Sequence, residues 1–289
     1  PLLLAAVAVF PFFAFADRVA GRPSALAAVG VYSLVPSVWL FCGAADQVHP
    51  LASATLGWLV LTALDAQEAG RRRAALGWAA GAGLVLAVSV FLSLGLALAG
   101  ALVALTAVLA RWRTGGTHPL RSVTDLWQPA AATALVAVGC FLVLELVSGY
   151  NLLAVLRTSN ALRMHGYNRL WSRPYAPSLW RNLAEAALFV GPLAVLGLRG
   201  AAAAVRRRAQ APRLWALTLA LLVTVLALDL SGKIRGETSR MWLFLTPFFA
   251  TVAGGGAEGD APRWQELGWL VLCAVYGLAL ARWGLVGGC

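Results

Sequence analysis

Apolar residues fall along this chain in long blocks separated by short polar stretches. The blocks cover residues 1–16, 25–41, 51–64, 76–110, 129–147, 183–198, 214–230, 241–254 and 267–284. About 20 apolar residues span the core of a bilayer, and the blocks lack the alternation of a transmembrane β-strand. The 76–110 block is too long for one crossing, so we break it near Ser93, Leu94 and Gly95. The pattern predicts an all-α, polytopic transmembrane bundle of about ten helices.

The arginine positions predict the orientation of this bundle, because cytoplasmic loops of membrane proteins carry an excess of positive charge. Ten crossings place most arginines on one side, which we assign to the cytoplasm. They lie near residues 18–22, 71–73, 111–121, 199–213 and 263. The opposite, outer side then holds three polar segments, residues 42–50, 148–182 and 231–240.

Composition agrees with a membrane protein. Hydrophobic residues make up 60% of the 289 residues and charged residues 12%, with a mean hydropathy of +0.77, whereas soluble domains carry about 25% charged residues. The net charge of +11 follows from the cytoplasmic arginines, and no cytoplasmic loop combines basic and aromatic residues as a nucleic-acid surface does. We therefore expect membrane lipid, and no nucleic acid, as a partner.

The type of organism and the extent of the chain can also be predicted. Alanine is abundant and Lys233 is the only lysine among 23 basic residues, a usage typical of GC-rich bacterial genomes, which predicts a multi-pass protein of the bacterial plasma membrane. Residues 1–289 are interpreted as a single transmembrane domain. The chain starts at Pro1 within an apolar run that lacks the features of a signal peptide. We therefore expect a fragment without its N-terminal helix and first outer loop.

The first outer segment contains Asp46, Gln47 and His49. Asp46 and His49 are three residues apart, so they can share one face of a helix. A carboxylate and an imidazole in that position can bind a polar head group or relay a proton. The alternative is a solvated turn with a helix cap.

The second outer segment is rich in arginine and aromatic residues. Its candidate binding residues are His165, Arg173, Tyr175, Trp180 and Asn182. Arginine binds phosphate through a planar fork, and aromatic rings stack on sugars or lie at the lipid interface. A lipid-phosphate or glycan partner would account for both residue types. The alternative is an interfacial helix whose arginines lie among anionic head groups.

The third outer segment leads into the apolar block at 241–254. Glu237 and Arg240 are spaced to pair on one helical face, and a helix start favours a nearby anion. A capping role explains the acid but leaves unexplained the surrounding cations Lys233, Arg235 and Arg240. This segment is therefore a second candidate site for an anionic group.

Two of these segments resemble a known family. RPYAPSLWRN at 173–182 and GETSRMWLF at 236–244 resemble an outer loop and the entry to a late helix of bacterial, particularly actinobacterial, GT-C type glycosyltransferases. The Asp46–Gln47 pair after a helix containing Pro36, and the turn at 89–95, fit the same order. These enzymes are polytopic membrane proteins that use polyprenyl-phosphate sugars.

The resemblance implies transfer of a sugar from a polyprenyl-phosphate donor to a glycan, lipid or protein acceptor on the outer face of the membrane, in the cell envelope. It implies neither a cofactor nor a metal. The family usually carries its catalytic aspartate in the first outer loop, which this chain starts too late to include. Among the residues present, it implies catalytic or donor-positioning roles for Asp46 and Glu237. Donor-binding roles fall to Arg173, Arg235, Arg240 and His165.

Two other classes of function stay open at this point. A transporter or flippase for an anionic lipid or solute would use the same outer arginines as an entry site, although such proteins often show internal repeats and midplane polar residues. A purely structural membrane subunit would leave the outer cluster of arginine and aromatic residues unexplained.

Overall fold

The computed structural model describes residues 2–40, 45–115, 119–162, 166, 174–233, 235, 238–256 and 263–282. Every regular element within these residues is a helix, which confirms the predicted all-α class. The 13 helices are α1 Leu2–Ala20, α2 Arg22–Leu34, α3 Pro36–Leu40, α4 Val48–Glu68, α5 Arg72–Leu92, α6 Ala97–Gly115, α7 Pro119–Ser148, α8 Leu152–Ala161, α9 Tyr175–Val190, α10 Leu193–Arg206, α11 Pro212–Leu230, α12 Thr246–Gly254 and α13 Arg263–Arg282. Short helical turns cover Ala45–Gln47, Leu94–Leu96, Thr238–Met241 and Leu243–Leu245.

Several helices are able to cross a membrane. Within the described residues, four are long and apolar enough on their own: Arg72–Leu92, Leu94–Thr114, Leu126–Ser148 and Pro212–Leu230. A fifth span arises if α9 and α10, which meet at 100°, form one broken crossing. The chain is thus consistent with a membrane protein, and the predicted number of about ten helices is not confirmed.

Helix breaks at glycine and proline are one reason why the helices outnumber the apolar blocks. Val35 is extended, with φ −62° and ψ 116°, between α2 and α3, because the following Pro36 disfavours a helical conformation in the residue before it. Gly191 has a φ of +67° between α9 and α10, a left-handed conformation that glycine adopts without strain. The predicted break near Ser93 is present, since α5 ends at Leu92 and α6 begins at Ala97.

Helix α4 is central to the bundle, where it packs against α1, α5 and α6. One side of the core is built from Phe15, Leu61, Leu102, Leu217 and Phe248, all almost fully buried. Small residues allow the closest helix crossings, as they do in membrane proteins. Gly200 of α10, for instance, lies directly against the backbone of Val252 in α12.

Charged side chains form a network at the C-terminal end of α4. Asp65 lies 2.6 Å from Arg213 Nη2 and 3.3 Å from Arg18 Nε. Glu68 lies 3.3 Å from Arg213 Nη2 and 3.7 Å from Arg111 Nη1. The network connects the ends of α1, α4 and α6 to the start of α11. Since α4 has 21 residues at about 1.5 Å each, the N-terminal end of the helix lies about 30 Å away.

Candidate functional site

An ion pair at the N-terminal end of α4 joins two of the predicted outer segments. The Nε–H of Arg240 donates to Oδ2 of Asp46, across 194 positions of sequence. Asp46 belongs to the turn Ala45–Gln47, and Arg240 to the turn Thr238–Met241. Neither side chain is fully buried, Asp46 being 19% exposed and Arg240 37%. The pair is therefore accessible to a ligand at this end of the bundle.

His49 extends this site on the first turn of α4, before the apolar residues 51–64. Its Nε2 lies 3.7 Å from Oδ1 of Asp46, and its side chain is only 7% exposed. Burial lowers the pKa of His49, the Asp46 carboxylate opposes that shift, and the Arg240 guanidinium adds to it. Nδ1 is buried without a hydrogen-bond partner among the described residues. A proton on Nδ1 would be a buried donor with no acceptor, so the favoured form is neutral, with its hydrogen on Nε2.

Gln47 fixes the position of the turn that carries Asp46. Its side chain is fully buried, and Nε2 donates a 2.8 Å hydrogen bond to the backbone oxygen of Val38 in α3. This bond connects the turn to the preceding helix. The structure thus places Gln47 behind Asp46, in a supporting position.

Tyr175 and Arg235 form a second contact between outer segments. Tyr175 Oη donates a 2.8 Å hydrogen bond to the backbone oxygen of Leu230 at the end of α11. The Arg235 guanidinium lies 5.5 Å from the centroid of the tyrosine ring, and its Nε donates to the oxygen of Gly232 at 2.9 Å. A stacked cation of this kind is held in place. This contact fixes the start of the 231–240 loop against α9.

The other predicted residues of the second segment are placed differently. Asn182 is buried in the core, where Nδ2 donates to Oδ1 of Asp229 at 3.0 Å, so it joins α9 to α11. Trp180 is 79% exposed and is not brought to the Asp46–Arg240 pair. The predicted residues Glu237, Arg173 and His165 lie outside the described residues.

A largely apolar cleft opens beside His49. Its volume is about 380 Å³, within the range of about 300–1,000 Å³ usual for ligand pockets. Its polar lining comes from His49, Ser93, Ser159, Asn160, Ser231 and Lys233, and its apolar lining from residues 94–98, Leu156, Ala227, Leu228, Met241 and Phe244. The cleft thus adjoins the ion pair through His49 and Met241.

Sequence reasoning missed part of this cleft. Helix α8 contributes Leu156, Ser159 and Asn160, and none of them was a candidate. Asn151 caps this helix by accepting a 2.8 Å hydrogen bond from the backbone of Ala154. The cap was readable from the sequence. Which face of α8 lines the cleft depends on tertiary packing.

Comparisons with known proteins do not identify the chain. No protein-family model, curated protein or solved structure matches it. Within the described part of the chain, no group of three or more His, Cys, Asp or Glu side chains could hold a metal ion. Function must therefore be inferred from the chemistry of the ion pair and of the cleft.

Proposed function

We propose that this protein is an integral membrane glycosyltransferase of the GT-C type. It would move a sugar from a polyprenyl-phosphate donor to a glycan, lipid or protein acceptor on the outer face of a bacterial plasma membrane. The observation that carries the proposal is the cleft of about 380 Å³, mostly apolar and bordered by His49 and Lys233, next to the Asp46–Arg240 pair. A lipid-linked, anionic substrate matches both parts of this surface.

The membrane arrangement in this proposal has ten crossings. Helices α2 and α3 together form one crossing, α9 and α10 form another, and the segment from Thr238 to Gly254 forms a third. The charged network at Asp65 and Glu68 then faces the cytoplasm, and the Asp46–Arg240 pair faces outward. This orientation follows the distribution of arginine. In this orientation the cleft would lie at the level of the lipid phosphate groups.

The proposed reaction is a direct displacement at the anomeric carbon of the sugar. An acceptor hydroxyl oxygen forms a bond to that carbon as the bond to the donor phosphate oxygen breaks, and polyprenyl phosphate leaves. A carboxylate takes the hydroxyl proton, and cations stabilise the charge on the departing phosphate. Asp46 lies beside His49, which lines the cleft, and is the carboxylate that we assign to this role. Glu237 remains a candidate for the same chemistry.

One feature of the fold favours a transporter as the second candidate. The bend between α9 and α10 resembles the broken helices that line transport sites near the middle of the bilayer. However, the residues at the bend, 190–193, are all apolar or glycine. The backbone oxygen of Leu188 beside the bend accepts a 2.8 Å hydrogen bond from Tyr276. The bend itself thus offers no polar side chain to a transported anion.

The test is a transfer assay with the full-length protein in proteoliposomes. A panel of polyprenyl-phosphate sugars, labelled in the sugar, is supplied together with acceptors extracted from bacterial membranes. We expect label in the acceptor and release of polyprenyl phosphate. Asp46→Asn and Arg240→Ala should each lower the rate by about 100-fold or more, the usual effect of removing an acid–base group or a charge-stabilising donor.

Glu145→Gln is the matched control for these variants. Glu145 is an exposed acid at the end of α7 and accepts a hydrogen bond from Asn151, so its replacement should leave transfer unchanged. Thermal unfolding in detergent verifies that all three variants fold. Full transfer by both site variants would refute the assigned roles. Movement of intact donor across the bilayer, without transfer, would favour the transporter.

A further inference from the structure

The three cations of the 231–240 loop differ in the groups that their side chains contact. Arg240 is paired with Asp46. Arg235 donates to the oxygen of Gly232 and lies over the ring of Tyr175. Lys233 lines the cleft with an exposed side chain. Its backbone N–H donates to Ser231 Oγ, but its ammonium group has no acceptor within the described residues. Lys233 is thus the cation that faces the cleft without an anionic partner there.

His49 supplies a second donor to the same cleft. Because Nδ1 is buried without a partner, the hydrogen of the neutral ring belongs on Nε2. This atom lies 3.7 Å from Oδ1 of Asp46, too far for a hydrogen bond, so its N–H stays available to the cleft that His49 lines. A neutral N–H and an ammonium can bind one phosphate together without the cost of burying two positive charges. The apolar residues 94–98, Leu156 and Phe244 continue from this polar end. They provide a surface for the start of a hydrocarbon chain.

We propose that Lys233, together with the Nε2–H of His49, binds the phosphate of the lipid-linked substrate, with the first part of its hydrocarbon chain lying against residues 94–98 and Phe244. This inference rests on the proposed function and names the residues that hold the phosphate of its polyprenyl-phosphate donor. It assigns the phosphate to Lys233, whereas the family resemblance implied Arg173, Arg235, Arg240 and His165. Arg240 keeps its bond to Asp46 in this arrangement and orients the carboxylate.

The experiment measures binding of sugar-free polyprenyl monophosphate to the full-length protein in nanodiscs. Lys233→Met should weaken binding about 10- to 100-fold, the effect expected when a charge-assisted hydrogen bond is lost. The affinity of Lys233→Arg should stay within about threefold of that of the unmodified protein. His49→Gln, which keeps an amide N–H near the position of Nε2, should bind better than His49→Leu. Arg73→Ala removes a positive charge from the exposed start of α5, at the other end of the bundle, and should have no effect.

Two further probes separate lipid phosphate from other ligands. Polyprenol, which lacks the phosphate, should bind weakly, and its binding should not change in Lys233→Met. Inorganic phosphate should compete only at concentrations far above those of the lipid. Competition by inorganic phosphate at equal concentration would overturn the lipid assignment, since the hydrocarbon lining would then contribute nothing.

The outcomes distinguish this inference from the proposed function. If polyprenyl phosphate binds equally to Lys233→Met and to the unmodified protein, the role of Lys233 is refuted while the transferase proposal stands. If the unmodified protein does not bind polyprenyl phosphate, the transferase proposal fails as well. A folded Lys233→Met with a normal unfolding temperature and weak binding supports the inference, because a purely structural role would also lower that temperature.

Discussion

Replacing Gly232 with alanine tests how firmly the loop that carries Lys233 is held. Gly232 has a φ of +59°, and a Cβ at this position would lie 2.6 Å from two ring carbons of Tyr175. Ordinary carbon contacts begin near 3.4 Å, so the ring or the loop has to move by almost 1 Å. The ring cannot yield easily, because its hydroxyl donates to Leu230 and Arg235 lies over its face.

Gly149 offers a matched control for this substitution. Its φ is +72°, and a Cβ there would meet nothing within 4 Å. Alanine at either position has the left-handed backbone cost of about 1–2 kcal/mol. Only Gly232→Ala adds the overpacking cost of about 1–3 kcal/mol. With about 2–4 °C per kcal/mol for domains of 150–250 residues, Gly232→Ala should unfold at least about 2 °C below Gly149→Ala.

Thermal unfolding in detergent measures this difference, and a double mutant identifies its cause. In a Tyr175→Ala background the ring is gone, so Gly232→Ala should have only the backbone cost and behave like Gly149→Ala. Gly232→Ala should also weaken polyprenyl-phosphate binding, because Lys233 moves with the loop. Equal unfolding temperatures for Gly232→Ala and Gly149→Ala would show that Tyr175 does not hold this loop.

Two more predictions concern the bundle and its orientation. Gly200→Ala should lower the unfolding temperature by about 2–12 °C, because its Cβ would collide with the backbone oxygen of Val252 and overpacking costs about 1–3 kcal/mol. Gly139→Ala, with nothing within 4 Å of its Cβ, is the control and should change little. In intact cells, a membrane-impermeant amine reagent should modify Lys233, the only lysine of this sequence, as located by peptide mass spectrometry. Modification only after lysis would reverse the proposed orientation.

The sequence identified both residues of the ion pair as candidates but did not predict their contact. Asp46 and Arg240 were candidates because each lies in a polar segment between apolar blocks, and alternate crossings bring such segments to one side. Their contact across 194 positions depends on how α3, α4 and α12 pack. Periodicity carries no information about that packing.

The sequence also could not distinguish between residues of similar type that the structure places differently. Lys233 and Arg235 are two positions apart, yet Lys233 lines the cleft while Arg235 lies over Tyr175. Trp180 and Asn182 were selected together, but α9 turns the tryptophan outward and buries the asparagine. The orientation of a helix about its own axis decides such cases, and short motifs do not encode it.

The two ends of α4 differ in what surrounds their charged side chains. At the C-terminal end, Asp65 and Glu68 are matched by Arg18, Arg111 and Arg213, so acids and bases satisfy one another. At the N-terminal end, Arg240 is paired with Asp46 and Asp229 accepts from Asn182, while Lys233 faces an apolar cleft without a described acceptor. A cation beside an apolar surface is complementary to a ligand that is anionic at one point and apolar beyond it. Exposed cations elsewhere, such as Arg73 at the start of α5, also have no described partner. Lys233 differs from them because it lines an apolar cleft, so its position is better explained by a ligand than by the stability of the fold.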